Sequence, residues 1–179
     1  METSTIRLKD MRRIVVAVDP SGASGEADNS DEIGIIVAGV GQDGLGYVLA
    51  DYSCRLSPQG WGRRAVEAYH HFSADLIVAE KNFGGAMVEH VIKTVDKNVP
   101  VKLVTASRGK AVRAEPIGAL YEQGKIYHNG FLKELEDQML YMTPSGYVGE
   151  GSPDRADALV WALTELMLGS TRSYDLSTL

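Results

Sequence analysis

The chain has 179 residues, of which 44% are hydrophobic and 23% charged, with a formal net charge of −6. That length suits one domain with a sizeable core, and the acidic balance argues against a protein that holds nucleic acid by electrostatics alone. The single cysteine, Cys54, excludes an internal disulfide and a cysteine metal cluster and suits a reducing cytoplasm; no apolar run predicts a membrane span, and the N-terminus has no secretory core.

Residues 1–12 read as a polar leader or linker, 13–169 as the domain, and 170–179 as a flexible C-terminal tail. "RIVVAVDP" (13–20) is a β-branched run stopped at Asp19-Pro20, a buried-strand signal. "SGASGEADNS" is a loop, "DEIGIIVAGV" (31–40) a second strand, "GQDGLG" a turn, and "YVLADYSCR" (47–55) a third strand. Short turns between three strands predict an antiparallel meander. Ser57-Pro58 then opens a helix in which Trp61, Ala65, Ala68, Tyr69 and Phe72 recur at helical spacing. "DLIVAE" (75–80) is a fourth strand, 84–95 a helix, and "VKLVTA" (101–106) a fifth strand. A helix over 110–123 must accommodate Pro116 by kinking or restarting, and Gly124 should cap it. A short "KIYH" strand, the helix "FLKELEDQMLYM" and a glycine-bearing loop or hairpin (143–151) follow as additions. The closing stretch "GSPDRADALVWALTEL" (151–166) is a helix with Ser152 as N-cap, Pro153 in its first turn, and an apolar face of Leu159, Ala162, Leu163 and Leu166. Strands alternating with helices in the later part imply parallel neighbours and helices on both faces.

Four acids stand out. Asp19 and Glu80 each end an apolar strand, the position where α/β sheets bind ligands. Asp154 and Asp157 lie one turn apart on the last helix, so both carboxylates point the same way. Each has a plain alternative: a strand end in solvent, or acids favoured by a helix dipole. If the first and fourth strands are parallel neighbours, however, the strand ends converge, and the last helix need only cross that edge to join them. Convergent carboxylates suit hard divalent cations such as Mg²⁺ or Mn²⁺.

The motifs "VAVDPSG", "LIVAEKNFGGAMVEHVI", "SRGKAVRAEPIGALYEQGKIYHNGFLKELEDQM" and "SPDRADALVWALTEL" resemble the C-terminal nuclease domain of the large terminase subunit of tailed bacteriophages, over residues 13–168. The resemblance implies a ribonuclease H-like fold: a mixed five-stranded sheet, three antiparallel strands then parallel ones, flanked by helices on both faces. It implies a two-metal endonuclease that cuts concatemeric double-stranded viral DNA during packaging, in the cytoplasm of an infected bacterium, with two Mg²⁺ or Mn²⁺ ions. Asp19, Glu80 and Asp157 match the catalytic, metal-holding acids, and Asp154 an auxiliary one. The implied partners are an N-terminal packaging ATPase domain of the same full-length protein, the portal protein and the small terminase subunit. The chain itself contains no Gly-x4-Gly-Lys-Ser/Thr loop, so it reads as one domain of a longer protein.

"KNFGG" (81–85) is either a phosphate-approaching loop or a tight turn, and Asn82 could orient Glu80 or touch DNA. Arg108, Lys110 and Arg113, with Lys102 nearby, could position a DNA backbone or form a solvated helix face. Asp31 is an assisting group behind the metal ligands or an ordinary strand start. His70, His71, His90 and His128 show no metal spacing, and Trp61 and Trp161 fit core faces. Of the two helix-head acids, Asp157 is expected to bind metal directly and Asp154, beside the loop, to be mobile and act through water. A Holliday-junction resolvase of the same fold, an actin-like or sugar-kinase-like nucleotide binder, and a docking module with one structural ion are the alternatives.

Overall fold

The computed structural model describes residues 7–20, 32–81, 85–106 and 108–169. Six strands form the main sheet: β1 (Met11–Asp19), β2 (Gly34–Gly41), β3 (Gly46–Asp51), β4 (Leu76–Glu80), β5 (Val101–Val104) and β6 (Ile126–His128). Their spatial order is β5-β4-β1-β2-β3-β6. The first three pair antiparallel, as the meander expected, while β4 runs parallel to β1 and β5 parallel to β4.

The sixth strand departs from the five-stranded expectation. "KIYH" is not an addition outside the sheet: Ile126–His128 pairs in parallel with β3, at the edge far from β5. Three residues carry too little periodicity to name a partner. Gly124, at φ +65°, makes the turn that returns the chain to the sheet, a conformation glycine adopts without strain. β1 also begins at Met11, inside the stretch read as a leader.

Both faces of the sheet are covered, which explains why its strands are apolar throughout rather than alternating with polar residues. On β1, Ile14, Val16 and Val18 pack with Trp61 and Ala65 of α1 (Pro58–His71) and Ile92 of α2 (Gly85–Val95). Val15 and Ala17 point the opposite way, towards Ala158, Leu159 and Leu163 of α5 (Asp154–Leu163). Alongside α5 lie α3 (Lys110–Glu122), which runs through Pro116 as one helix, and α4 (Lys133–Leu140). A small hairpin of β7 (Met142–Thr143) and β8 (Gly146–Tyr147) precedes α5.

After Leu163 the last helix continues as a π-turn over Thr164–Leu168. Buried Glu165 there accepts from Arg13 at 2.8 Å and Lys102 at 2.9 Å. Lys102 is therefore not part of the basic group beside the acids; it anchors the far end of the helix. Trp61 and Trp161 are both buried, as their spacing predicts. His128 is buried between Tyr121 (2.8 Å) and Glu136 (2.9 Å), a structural histidine.

Candidate metal centre

Strand alternation sets the first two acids. Asp19 continues the Val15, Ala17 series, so it faces α5; Glu80 follows Val78, which faces the same way. The parallel register pairs Ala17 with Val78 and Val18 with Ala79, so one more residue along each strand arrives at Asp19 and Glu80. Both carboxylates thus stand at the same end of neighbouring strands.

α5 supplies the other two. It crosses that end of the sheet with its first turn over Asp19, and this depends on Gly34. In the register Gly34 sits directly opposite Asp19. A Cβ there would overlap the backbone carbonyl of Asp154. The glycine inside "DEIGIIVAGV" is the sequence signal for this close approach.

Asp19, Asp154 and Asp157 each place a carboxylate oxygen so that all three lie within 4.8 Å of one another. Their exposures are 1%, 3% and 5%, so all three are buried. Two unit charges at that spacing repel by roughly 3–4 kcal/mol at an effective dielectric of ~20. Burial first, and then the charges of Asp19 and Asp154, push the Asp157 carboxyl up to about 6, against the pull of Lys110. Burial works to lower the Lys110 ammonium, but its bond to Asp157 and the charges of Asp157, Asp19 and Asp154 outweigh it, and its pKa is raised.

Three buried hard-oxygen donors, one of them with its pKa raised by burial and then by its acidic neighbours, fit a divalent cation by both donor type and charge. Asp157 is buried on α5, close to Asp19 and Asp154. Asp154 is not at a mobile loop edge: it is buried, and Ser152 Oγ donates to its Oδ1 at 2.7 Å. Ser152 is therefore no N-cap. Pro153 occupies the cap position, and the helix begins at Asp154.

Glu80 stands outside the group of three, and Arg113 approaches it at 3.9 Å. The Arg113 guanidinium also lies 4.3 Å from the centre of the Trp161 ring. Lys110 forms an ion pair with Asp157. The basic group of α3 is thus split. Lys110 and Arg113, one turn apart, turn towards the acids, while Arg108 is exposed ahead of the helix. Asn82 and Asp31 lie outside the described residues.

Sequence reading missed a polar set behind the acids. Arg155 donates to Asp51 at 2.8 Å and pairs with Glu32, which also accepts from Gln138 at 3.2 Å. The signal was the arginine inside "DRAD", a cation flanked by acids yet rotated off their helix face. A cavity of about 720 Å³ lies elsewhere, lined by Ile117, Tyr121, Ile126, Leu159 and other largely apolar residues of α3, β6 and α5. It holds no acid cluster, so the metal chemistry is not there.

A mixed sheet with a central acid-tipped strand, a parallel neighbour also ending in an acid, and a last helix bringing acids across them defines the ribonuclease H-like class. The terminase RNase H-like domain family matches residues 16–166, and the chain belongs to that family.

Three solved proteins show the likeness in structure. The large terminase nuclease from thermophilic phage G20c superposes with TM-score 0.60 at 16% identity, covering 88% of this chain and 86% of that one. The same nuclease with bound magnesium gives TM-score 0.58 at 15% identity, covering 87% and 83%. The large terminase of bacteriophage HK97 gives 0.61 at 11% identity, covering 90% of this chain, which spans only 40% of that longer protein. RuvC of T. thermophilus, in complex with Holliday junction substrate, gives 0.50 at 20% identity, covering 85% and 92%. At these identities the likeness establishes the fold. No curated protein matches the chain. Among the described residues, no helix is long and apolar enough to cross a membrane.

Proposed function

We propose that this chain is a metal-dependent endonuclease: the nuclease part of a terminase large subunit, cutting double-stranded concatemeric viral DNA during phage genome packaging. The observation that carries the reading is the buried group of Asp19, Asp154 and Asp157, within 4.8 Å of one another, in a chain of the terminase RNase H-like family. Support for a metal also comes from the G20c nuclease, a relative in fold that binds magnesium.

In this reading Asp19 and Asp157 would hold Mg²⁺ or Mn²⁺ directly, two ions in all, with Glu80 completing the site from β4 and Asp154 steadying it. The chemistry supplied there would be a lowered pKa for an attacking water and an offset of charge on the departing 3′ oxygen. The protein's own groups do the rest. Arg113, over the Trp161 ring, stands 3.9 Å from Glu80 and offsets its charge beside the site. Lys110, already beside Asp157, is placed to meet a phosphate entering the site, and exposed Arg108 to meet the backbone further out. With a net charge of −6, the chain relies on these few cations and on bound metal rather than on bulk attraction to DNA. The ends left are a 5′-phosphate and a 3′-hydroxyl. The setting is the cytoplasm of an infected bacterium, with the packaging ATPase domain of the same full-length protein, the portal protein and the small terminase subunit as partners.

A substrate panel tests the reading. Linear duplex DNA, a four-way junction and ATP are each incubated with the chain and Mn²⁺. The proposal expects the duplex to be cut, the junction to gain no preference over it, and ATP to survive. Exclusive cutting of the junction would transfer the chain to the resolvase reading, and ATP hydrolysis without DNA cutting to the nucleotide-binding one.

A further inference from the structure

The head of α5 carries two of the three clustered acids yet has no cap of its own. Ser152 is engaged with the Asp154 carboxylate, and Pro153 at the cap position makes no side-chain cap bond. The N–H groups of a first helical turn need acceptors, and here one comes from another helix. Gln138 of α4 accepts from the Ala156 N–H at 3.1 Å through Oε1, while its Nε2 donates to Glu32 at 3.2 Å. Arg155 completes the set. Its Nη1 donates to the other oxygen of Glu32, and its Nε donates to Asp51 of β3 at 2.8 Å. Side-chain exposures of 16% for Arg155, 13% for Glu32 and 11% for Asp51 shield these charge-assisted bonds from solvent.

Arg155 lies between Asp154 and Asp157 in sequence but is turned about 100° from Asp154 and about 160° from Asp157, so it leaves the acid face to them. Its grip on two separate carboxylates sets how far α5 can roll. A roll of ~20°, with side chains reaching ~5–6 Å from the axis, would displace a carboxylate oxygen by roughly 2 Å. Metal–oxygen distances tolerate only about 0.2 Å. Packing of Ala158, Leu159 and Leu163 against the sheet holds α5 down, and the polar contacts of Arg155 and Gln138 add directional restraints on its roll.

We propose that Arg155, assisted by Gln138, is the positioning clamp of the metal centre: it fixes the roll of α5 and thereby the affinity of the site for its cation. The proposal rests on the metal-dependent reading above. Neither residue touches the metal or the DNA; both act through Asp154 and Asp157.

The test is calorimetric titration of Mn²⁺ into the full chain and into Arg155→Met, Arg155→Lys and Gln138→Leu, each with a melting curve in EDTA. Arg155→Met should bind Mn²⁺ about 10–100-fold more weakly, the range expected when a group supporting a metal ligand is lost. Arg155→Lys keeps the charge but not the fork, and should remain several-fold weaker than the parent. Gln138→Leu should show a smaller loss in the same direction. A merely structural role would lower the melting temperature and leave the Mn²⁺ affinity of the folded protein unchanged. Folded variants that bind like the parent therefore overturn the clamp. If Arg155→Met does not fold, Arg155→Lys and Gln138→Leu decide the matter. If the parent itself binds no Mn²⁺, the metal reading fails and the clamp falls with it; tight parental binding with indifferent variants removes the clamp alone.

Discussion

At Asp157, burial and an ion pair act in opposite directions, and burial prevails: the folded carboxyl titrates near 6 instead of 3.8. The folded state therefore binds this proton more tightly than the unfolded chain does. The stability it contributes is fully present below about pH 4 and is lost as pH rises through about 6. In EDTA, melting temperatures of the parent should fall across that interval relative to Asp157→Asn, which has no titrating group at this position. Parallel curves for the two proteins would show that Asp157 titrates normally. In a metal-loaded protein the same proton competes with the cation, so Mn²⁺ affinity should climb over the same interval. Much of this residue-level picture was legible. Asp19 and Glu80 announce themselves as acids ending apolar strands, and Asp154 and Asp157 as a pair one turn apart. What was not legible was direction. Nothing in "SRGKAVRAE" says that Lys110 and Arg113 turn inward to acids from other elements while Arg108 stays outside; that depends on how α3 packs against α5, a contact between distant parts of the chain.

At the scale of the element, α5 is the part on which the site depends, and Gly34 is what lets it come close. Gly34→Ala would drive a methyl into the Asp154 carbonyl, with Ala158 Cβ only 3.1 Å away. Backbone cannot yield as the end of a long side chain can, so the first turn of α5 must lift. Overpacking of this kind costs ~1–3 kcal/mol, which lowers the melting temperature of a domain this size by several degrees. The loss in Mn²⁺ binding should be larger than that stability change suggests, because Asp154 and Asp157 move together. Gly118→Ala on α3 is the control: a Cβ there meets open space, and replacing a mid-helix glycine should leave stability equal or raised by up to ~1 kcal/mol. Equal effects from the two substitutions would show that Gly34 does not set the approach of α5. The elements themselves were read well where they were long. α1 begins at Pro58 and the last helix spans its apolar face, because ten or more residues of helical period outvote local exceptions. Short pieces were not. The edge pairing of β6 and the capping of α5 by Gln138 rest on partners far along the chain, which no local pattern encodes.

At the scale of the whole molecule, the architecture follows from one switch. β1 has an antiparallel neighbour on one side and a parallel one on the other. Its C-terminal end thus opens where the chain connections diverge, the place where α/β sheets admit ligands. The sequence shows this switch as three turn-linked strands followed by strand–helix alternation, which is why the fold could be inferred without knowing any side-chain contact. The polar set of Arg155, Glu32, Asp51 and Gln138 could not, since it joins residues up to 123 positions apart. The claim on which the rest depends is that the buried acids hold a cation that cuts DNA. The most direct measurement is cleavage of plasmid DNA by the parent and by Asp157→Asn, in Mn²⁺ and in excess EDTA, with melting curves to show that both proteins are folded. The parent should cut in Mn²⁺, with no cutting in EDTA or by the folded Asp157→Asn variant. Undiminished cutting in EDTA, or by Asp157→Asn, would contradict it.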